Sequence, residues 1–161
     1  MEESSFTPEQ KLKHDLRHYP VRPHVGVGGV IYWKDKVLLI KRKFNPDAGK
    51  WAIPGGHLNL GEPTAEGALR ECEEETGLKL KIRHQTDIID RIDRDSAGNI
   101  EYHYVLIDYI MDLVGEYAEN NPPIPIAQSD VSEAKFVPFS DLSSYDLTYS
   151  VVELFNRLHL L

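Results

Sequence analysis

The chain has 161 residues, of which 41% are hydrophobic and 27% are charged, and it carries a formal net charge of −8. This length suits one domain with a buried core, and the acidic balance argues against partners that need a basic surface, namely DNA, RNA and anionic membranes. A single cysteine excludes an internal disulfide and, with no signal peptide and no apolar run of membrane-spanning length, favours a cytoplasmic protein.

The N-terminal part predicts a short helix and then a β-hairpin. Residues 7–10 (TPEQ) form a capping box, so we expect a helical lead-in at about 7–18. Residues 24–33 combine β-branched side chains with glycines and predict a strand, which a turn joins to an apolar strand over 37–40. The GVGGV run in the first strand does not match the GxGxxG dinucleotide fingerprint, and no helix follows it, which excludes a Rossmann fold.

The most informative stretch is a short amphipathic helix, for which Thr64 is the expected N-cap and Gly77 the residue that ends it. Its packing stripe follows helical spacing and consists of Ala65, Ala68, Leu69, Cys72 and Thr76. Glu71, Glu74 and Glu75 share another arc, where like charges destabilise a helix. The arc is either a solvated acidic face or a site for a hard divalent cation, which prefers oxygen ligands.

The residues around the helix favour the cation. The stretch Gly56–Leu78 consists of Gly, five residues, Glu, seven residues, Arg-Glu, Cys72, one residue, Glu-Glu, one residue, Gly and Leu. This pattern resembles the Nudix box, with Cys72 at a position that is usually aliphatic. The resemblance implies an α/β Nudix fold, in which a mixed β-sheet is sandwiched between helices (α/β/α), and a single domain that covers residues 1–161.

The resemblance also implies a site and a chemistry. Nudix enzymes use Mg²⁺, with Mn²⁺ as an alternative, to cleave a nucleoside diphosphate linked to another group, usually by attack of water at phosphorus. Carried over by position, the metal ligands are the carboxylates of Glu71, Glu74 and Glu75 and the backbone carbonyl of Gly56. Glu74 is a ligand or the base that activates water. Arg70 orients the acids, as does Glu62 unless it only stabilises the helix N-terminus.

The predicted elements past the box are, in chain order, a strand that begins the segment 78–90, a hairpin turn over 93–99, a strand over 100–111, a loop over 114–129, a strand over 131–139 and an amphipathic helix over 147–161. The packing face of the last helix is expected to contain Val151, Val152, Leu154, Phe155, Leu158 and Leu161.

Many Nudix enzymes add one acid from the loop before the last strand. Asp130 is the first candidate here, because it lies six residues before Phe136, an aromatic residue of that strand. The other candidates are Glu116, Glu119 and Glu133. For each of the four, the alternative is a solvated acid of a polar loop.

Substrate choice depends on residues outside the box. The candidates for base stacking or phosphate contact are aromatic and cationic side chains: Arg22, His24, Tyr32, Arg42, Arg91, Arg94 and Tyr104. The segment 90–109 resembles the hairpin of prokaryotic ADP-ribose pyrophosphatases, although Arg94 stands where many of them have proline. An ADP-ribose-like nucleotide is therefore the expected substrate, and a homodimer is common in the family. The alternatives are an enzyme for oxidised or ordinary nucleoside triphosphates and a nucleotide sensor without catalysis.

Overall fold

The structure is a computed structural model that describes residues 17–161. The predicted helical lead-in over 7–18 therefore lies, except for its last two positions, outside the described residues. The described elements are β1 (His24–Trp33), β2 (Lys36–Arg42), β3 (Trp51–Ala52), β4 (Gly55–His57), α1 (Thr64–Thr76), β5 (Leu80–Gln85), β6 (Ile89–Arg94), β7 (Ile100–Leu113), β8 (Val131–Pro138), a 3₁₀-helix (Phe139–Ser144) and α2 (Tyr149–Arg157).

The strands form one mixed sheet around β1 and β7. These two strands run parallel, with His24 opposite Tyr104 and Gly28 opposite Asp108. The other edge of β1 pairs antiparallel with β4 and, further along, with β2, which also pairs with β3 and β8. The other edge of β7 pairs antiparallel with β5 and β6. This arrangement confirms the predicted hairpin and the predicted mixed sheet.

Each face of the sheet packs on one of the two described α-helices. Side chains alternate between the faces of a strand, so Tyr109 and Met111 join the core under α1 while Ile110 joins the core under α2. Within α2, Phe155 is fully buried, which contributes about 1.5–3 kcal/mol to stability. The layers are therefore helix, sheet and helix, as predicted.

The segment 78–90 contains two strands, where only one was predicted. Both β5 and β6 pair with β7, but residues 86–88 separate them. The ladder is interrupted because residues 86–88 face only residues 107–108 of β7, and at this point Thr86 donates its N–H and its hydroxyl to the carbonyl of Asp108, at 2.9 and 3.1 Å. The hairpin turn after β6 also begins later than predicted, since Asp93 and Arg94 belong to the strand and the turn closes between Asp95 and Asn99.

Two helix ends also differ from the prediction. Pro63, rather than Thr64, is the N-cap of α1, and the Thr64 hydroxyl instead hydrogen-bonds the hydroxyl of Tyr109 at 2.7 Å. The last helix is shorter than predicted because Thr148 caps it and it ends at Arg157, which leaves Leu161 outside the packing face and 42% exposed. In the described part of the chain, no helix is long and apolar enough to cross a membrane.

Candidate functional site

The three glutamates of α1 have different surroundings. Glu75 is buried, Glu71 is half-buried and Glu74 has 55% of its side chain exposed. The Glu75 carboxylate accepts a hydrogen bond from the backbone N–H of Gly55 at 2.9 Å, which ties α1 to β4. The helical spacing that the sequence reveals therefore brings these acids to one side of the helix, while burial distinguishes them.

Arg70 neutralises part of this charge. Its guanidinium binds both oxygens of Glu62, at 2.7 and 2.9 Å, and also contacts Glu71 at 3.0 Å and Glu74 at 3.3 Å. A further N–H donates to the carbonyl of His57 at 3.2 Å. The hydrogen bonds with Arg70 lower the pKa of Glu62 to about 2. Arg70 therefore connects α1 to the loop that precedes it and fixes the direction of the Glu71 carboxylate.

Gly56 lets a carboxylate lie directly against the backbone. A Cβ atom at this position would overlap the carboxyl group of Glu71, so no other residue fits without a shift. The absence of a side chain thus brings Glu71 beside β4, next to the segment that also binds Glu75.

The two acids nearest to β4 are hard to ionise. Burial raises the pKa of Glu75 to about 8, the Gly55 N–H opposes the shift, and the charges of Glu71 and Asp130 add to it. Burial also raises the pKa of Glu71, with Arg70 opposing. Dehydrated neighbouring carboxylates are stabilised in their ionised form by a cation.

The charge of Asp130 contributes to the raised pKa of Glu75, so this acid acts on the site through its charge. The loop before it is fastened to the end of α1, because the N–H of Gln128 donates to the carbonyl of Glu75 at 3.2 Å. The other candidates have different surroundings: Glu119 pairs with Lys34, Glu133 lies 3.6 Å from Lys41, and Glu116 is exposed.

A cavity of about 130 Å³ adjoins β4 on the side of the sheet that faces α2. Tyr104, Leu106 and Asp108, which alternate along β7, contribute one wall, and Gly26 and Gly28 of β1 lie beside them. Residues 148–154, around the start of α2, cover the opposite side. Since Gly55 and Gly56 also line this space, the cavity and the acids of α1 are neighbours across β4.

Three of the seven predicted substrate residues line the cavity: Arg42, Arg91 and Tyr104. His24 lies beside them, with its ring 6.2 Å from that of Tyr104. The structure does not bring the other three there. Tyr32 packs edge-on against Phe139 at 5.8 Å, Arg94 is exposed and donates to the carbonyl of Gly98, and Arg22 is exposed.

A profile of the NUDIX domain matches residues 22–157 of the chain. The chain belongs to the Nudix family. It is 37% identical over 132 residues to the ADP-ribose pyrophosphatase of Methanocaldococcus jannaschii, an alignment that covers 81% of this chain and 72% of that protein. This result confirms the predicted family and its class of enzyme, a hydrolase of phosphoric anhydride bonds.

Solved Nudix structures have the same fold. The MutT NUDIX hydrolase of Burkholderia pseudomallei superposes with a TM-score of 0.71 and 29% identity, over 85% of this chain and 98% of that one. The NUDIX domain of Shewanella oneidensis NrtR, solved with ADP ribose, superposes with a TM-score of 0.66 and 21% identity, over 99% and 97% of the two chains. The predicted Nudix fold is therefore confirmed.

Nudix hydrolases generally need a divalent metal ion, and the donor set of this one suits a particular type. Among residues 17–161, no group of three or more His, Cys, Asp or Glu side chains forms a complete coordination site for a metal ion. The acid pair Glu71 and Glu75 beside a glycine backbone is instead what Mg²⁺ requires, since it uses one or two carboxylates, water and substrate phosphate. The available donors therefore fit an ion that binds together with its substrate.

The two arginines of the cavity differ in the contacts they already make. Arg91 is buried, and its guanidinium binds Asp47 at 2.7 Å and Asp93 at 2.8 and 2.9 Å. Among the described residues, the guanidinium of Arg42 donates only through Nε, to the carbonyl of Pro46 at 2.8 Å. Burial and the charge of Arg91 lower the pKa of Arg42. An anion would oppose both effects, so Arg42 is better placed than Arg91 to receive a phosphate.

Two titratable side chains that line the cavity, Asp108 and His57, were not predicted from the sequence. Asp108 lies within the apolar strand segment VLIDYIM, and an acid at a buried strand position was the available signal. Burial raises the pKa of Asp108 to about 7. Burial and the positive charges of Arg17 and Arg42 lower the pKa of His57 to about 4, so its ring is neutral at neutral pH. No sequence signal marked His57 as a cavity residue.

Proposed function

We propose that this Nudix hydrolase cleaves the pyrophosphate of ADP-ribose or a closely similar nucleoside diphosphate derivative. The products would be a nucleoside monophosphate and a phosphorylated partner. The observation that carries the proposal is the adjacency, across β4, of the acid pair Glu71 and Glu75 and a partly apolar cavity with Arg42 and Tyr104 in its wall. The similarity to an archaeal ADP-ribose pyrophosphatase over most of the chain supports this choice of substrate.

In this proposal the carboxylates of Glu71 and Glu75 and the carbonyl of Gly56 hold Mg²⁺, which Mn²⁺ can replace. The ion supplies charge neutralisation at the phosphate and lowers the pKa of water at the site. Glu74 is the third acid of the set. Because Glu74 is exposed, it can accept a proton from water and is a candidate for the catalytic base. Asp130 is the additional acid of the proposed site.

Arg70 and Arg42 have separate roles in this mechanism. Arg70 holds Glu71 in one orientation through the contacts that also bind Glu62, so it acts through the acids rather than on the substrate. Arg42 receives the negative charge of the diphosphate. Tyr104 offers an aromatic face to the part of the nucleotide that enters the cavity.

The test is incubation of the protein with Mg²⁺ and a panel of nucleotides, followed by identification of the products by mass spectrometry. The proposal predicts AMP and ribose 5-phosphate from ADP-ribose. Release of inorganic pyrophosphate from nucleoside triphosphates, with ADP-ribose intact, would contradict it and indicate a triphosphate pyrophosphatase. Tight binding of one nucleotide with no turnover across the panel would indicate a sensor instead.

Several further expectations belong to the same proposal. We infer a cytoplasmic enzyme that works on a small nucleotide without DNA, RNA or a membrane as partner. A single domain over residues 1–161 and a homodimeric state also stay predictions. The net charge of −8 and the single cysteine support the first inference.

A further inference from the structure

Asp108 is a buried acid that faces the cavity from the middle of β7. It is 7% exposed and lines the cavity together with Tyr104 and Leu106. Gly28 lies opposite it on β1, and a Cβ atom on that glycine would lie 2.8 Å from an Asp108 carboxyl oxygen. Because Gly28 has no side chain, the carboxyl group of Asp108 can occupy the space above it.

The carboxyl group of Asp108 accepts no hydrogen bond from any residue in the described part of the chain. Only its backbone carbonyl is used, by Thr86. Two hydroxyls of the cavity wall, those of Thr148 and Ser150, interact at the start of α2 instead. Thr148 accepts from the N–H of Val151 at 3.4 Å and lies 3.4 Å from the Ser150 hydroxyl. A ligand that donates a hydrogen bond would stabilise the ionised form of this acid, which burial disfavours.

The cavity wall restricts which ligand group meets this acceptor. The exposed surface of the wall is mostly apolar, with Ile53, Leu106 and Leu154 among its residues. A sugar would bury several hydroxyls, most of which would lack partners. A nucleobase has apolar faces and concentrates its donors on one edge. The volume of about 130 Å³ is also of the order that receives an aromatic ring, for which about 150 Å³ suffices for benzene.

We propose that Asp108 is a specificity-determining residue that accepts a hydrogen bond from the exocyclic amine of a nucleobase bound in this cavity. The chemical class is an amino-bearing base such as adenine. A base with a carbonyl at that position would turn an acceptor toward the carboxylate and be rejected. This inference rests on the proposed function, since it names the part of the same substrate that the cavity selects.

The test compares ADP-ribose with its hypoxanthine counterpart, in which a carbonyl replaces the amine, as competing substrates. At about pH 8.5, above the pKa of about 7, the Asp108 carboxyl is ionised. The wild-type protein should prefer ADP-ribose by at least about tenfold in kcat/KM. Asp108→Asn should reduce this preference about tenfold, because the amide can donate to the carbonyl. Asp90→Asn, an exposed change on β6, should leave the preference unchanged.

Two outcomes would overturn the assignment. One is an equal rate for both substrates in the wild-type protein, a result that does not depend on whether the variant folds. The other is an Asp108→Asn variant that slows both substrates equally and changes instead the preference between ADP-ribose and ADP-glucose, which would place the sugar against Asp108.

A binding measurement separates this inference from the proposed function. Calorimetry with AMP and IMP needs no hydrolysis, and AMP should bind at least about tenfold more tightly. That preference in a protein that does not cleave ADP-ribose would contradict the proposed function and support the role of Asp108. Equal binding of AMP and IMP by a protein that cleaves ADP-ribose would support the proposed function and contradict the role of Asp108.

Discussion

The acids on the two sides of β4 differ in whether a cation compensates their charge. On the side of α1, Arg70 contacts carboxylates that lie within eight residues of it along the chain. On the side of the cavity, Asp108 reaches its position through the register of β1 and β7, and no cation pairs with it among residues 17–161. The acids of α1, whose charge Arg70 partly neutralises and which lie beside a glycine backbone, suit metal binding. Asp108, which has no cation beside it in the described part of the chain, suits recognition of a neutral hydrogen-bond donor.

The largest expected effect separates chemistry from stability at the α1 side. Glu75→Gln should lower kcat about a thousandfold, because a metal contributes several kcal/mol of charge stabilisation and each 1.36 kcal/mol is a factor of ten. Its melting temperature in chelator above pH 8, where the Glu75 carboxyl is ionised, should equal or exceed that of the wild-type protein, since the variant removes a buried charge. Glu73→Gln, on the same helix but near Lys79, is the matched control and should stay within about twofold in kcat. Similar kcat values for the two variants would remove Glu75 from the site.

The second prediction concerns the cation on the cavity side. Arg91→Met should lower the free energy of unfolding by about 3 kcal/mol, because Asp47 and Asp93 lose their buried partner. Arg94→Met removes an exposed arginine from the same strand and should change it by less than about 0.5 kcal/mol. Urea titrations of both variants measure the difference. Equal decreases in the free energy of unfolding for the two variants would mean that the ion pairs of Arg91 do not stabilise the cavity wall.

The third prediction uses pH to isolate Asp108. Its pKa of about 7 lies above the unfolded value of about 3.9, so the folded protein binds a proton that the unfolded chain has lost. This contribution to stability is full below about pH 4, declines as the pH rises and is lost above about pH 7. Asp108→Asn lacks this decline, so its stability relative to wild type should rise by about 2 kcal/mol between pH 5 and pH 8.

Urea titrations in chelator at the two pH values measure this change. Glu75 also has a raised pKa, but it is present in both proteins, so the comparison cancels it. A stability difference that does not vary with pH would mean that the Asp108 carboxyl is hydrated or paired in solution.

The smallest expected effect tests whether Arg70 supports catalysis by orienting the acids or only by its positive charge. Arg70→Lys keeps the positive charge but cannot hold both oxygens of Glu62 while it contacts Glu71. We expect kcat to fall about tenfold with little change in KM, since the proposed role of Arg70 is to orient the acids and not to contact the substrate. A change in KM alone would indicate direct contact with the substrate.

The sequence predicted the α1 side better than the cavity side, and the reason is the range of the interactions. Helical periodicity is local, so the spacing of Glu71 and Glu75 and the end at Gly77 could be inferred, and φ at Gly77 is +69° as a left-handed helix end requires. Thr64 was misjudged because a distant residue, Tyr109, binds the hydroxyl that would otherwise cap the helix.

On the cavity side, the decisive contacts join segments far apart in the chain. Nothing local indicates that Gly28 and Asp108 lie opposite each other, or that Arg42 and Arg91 meet at one wall while Arg94 does not. The break between β5 and β6 has the same origin, since it depends on the carbonyl of a residue on another strand. Register, rather than composition, determines this half of the site.

The central claim is that Gly56, Glu71 and Glu75 hold the divalent ion of this Nudix hydrolase. The most direct test is a crystal grown with Mn²⁺ and a non-hydrolysable ADP-ribose analogue, with anomalous scattering recorded for the metal. The account predicts an anomalous peak at a bonding distance of about 2.1 Å from the Gly56 carbonyl and from both carboxylates. A peak elsewhere, with Glu71 still bound to Arg70 and Glu75 still bound to the N–H of Gly55, would contradict it.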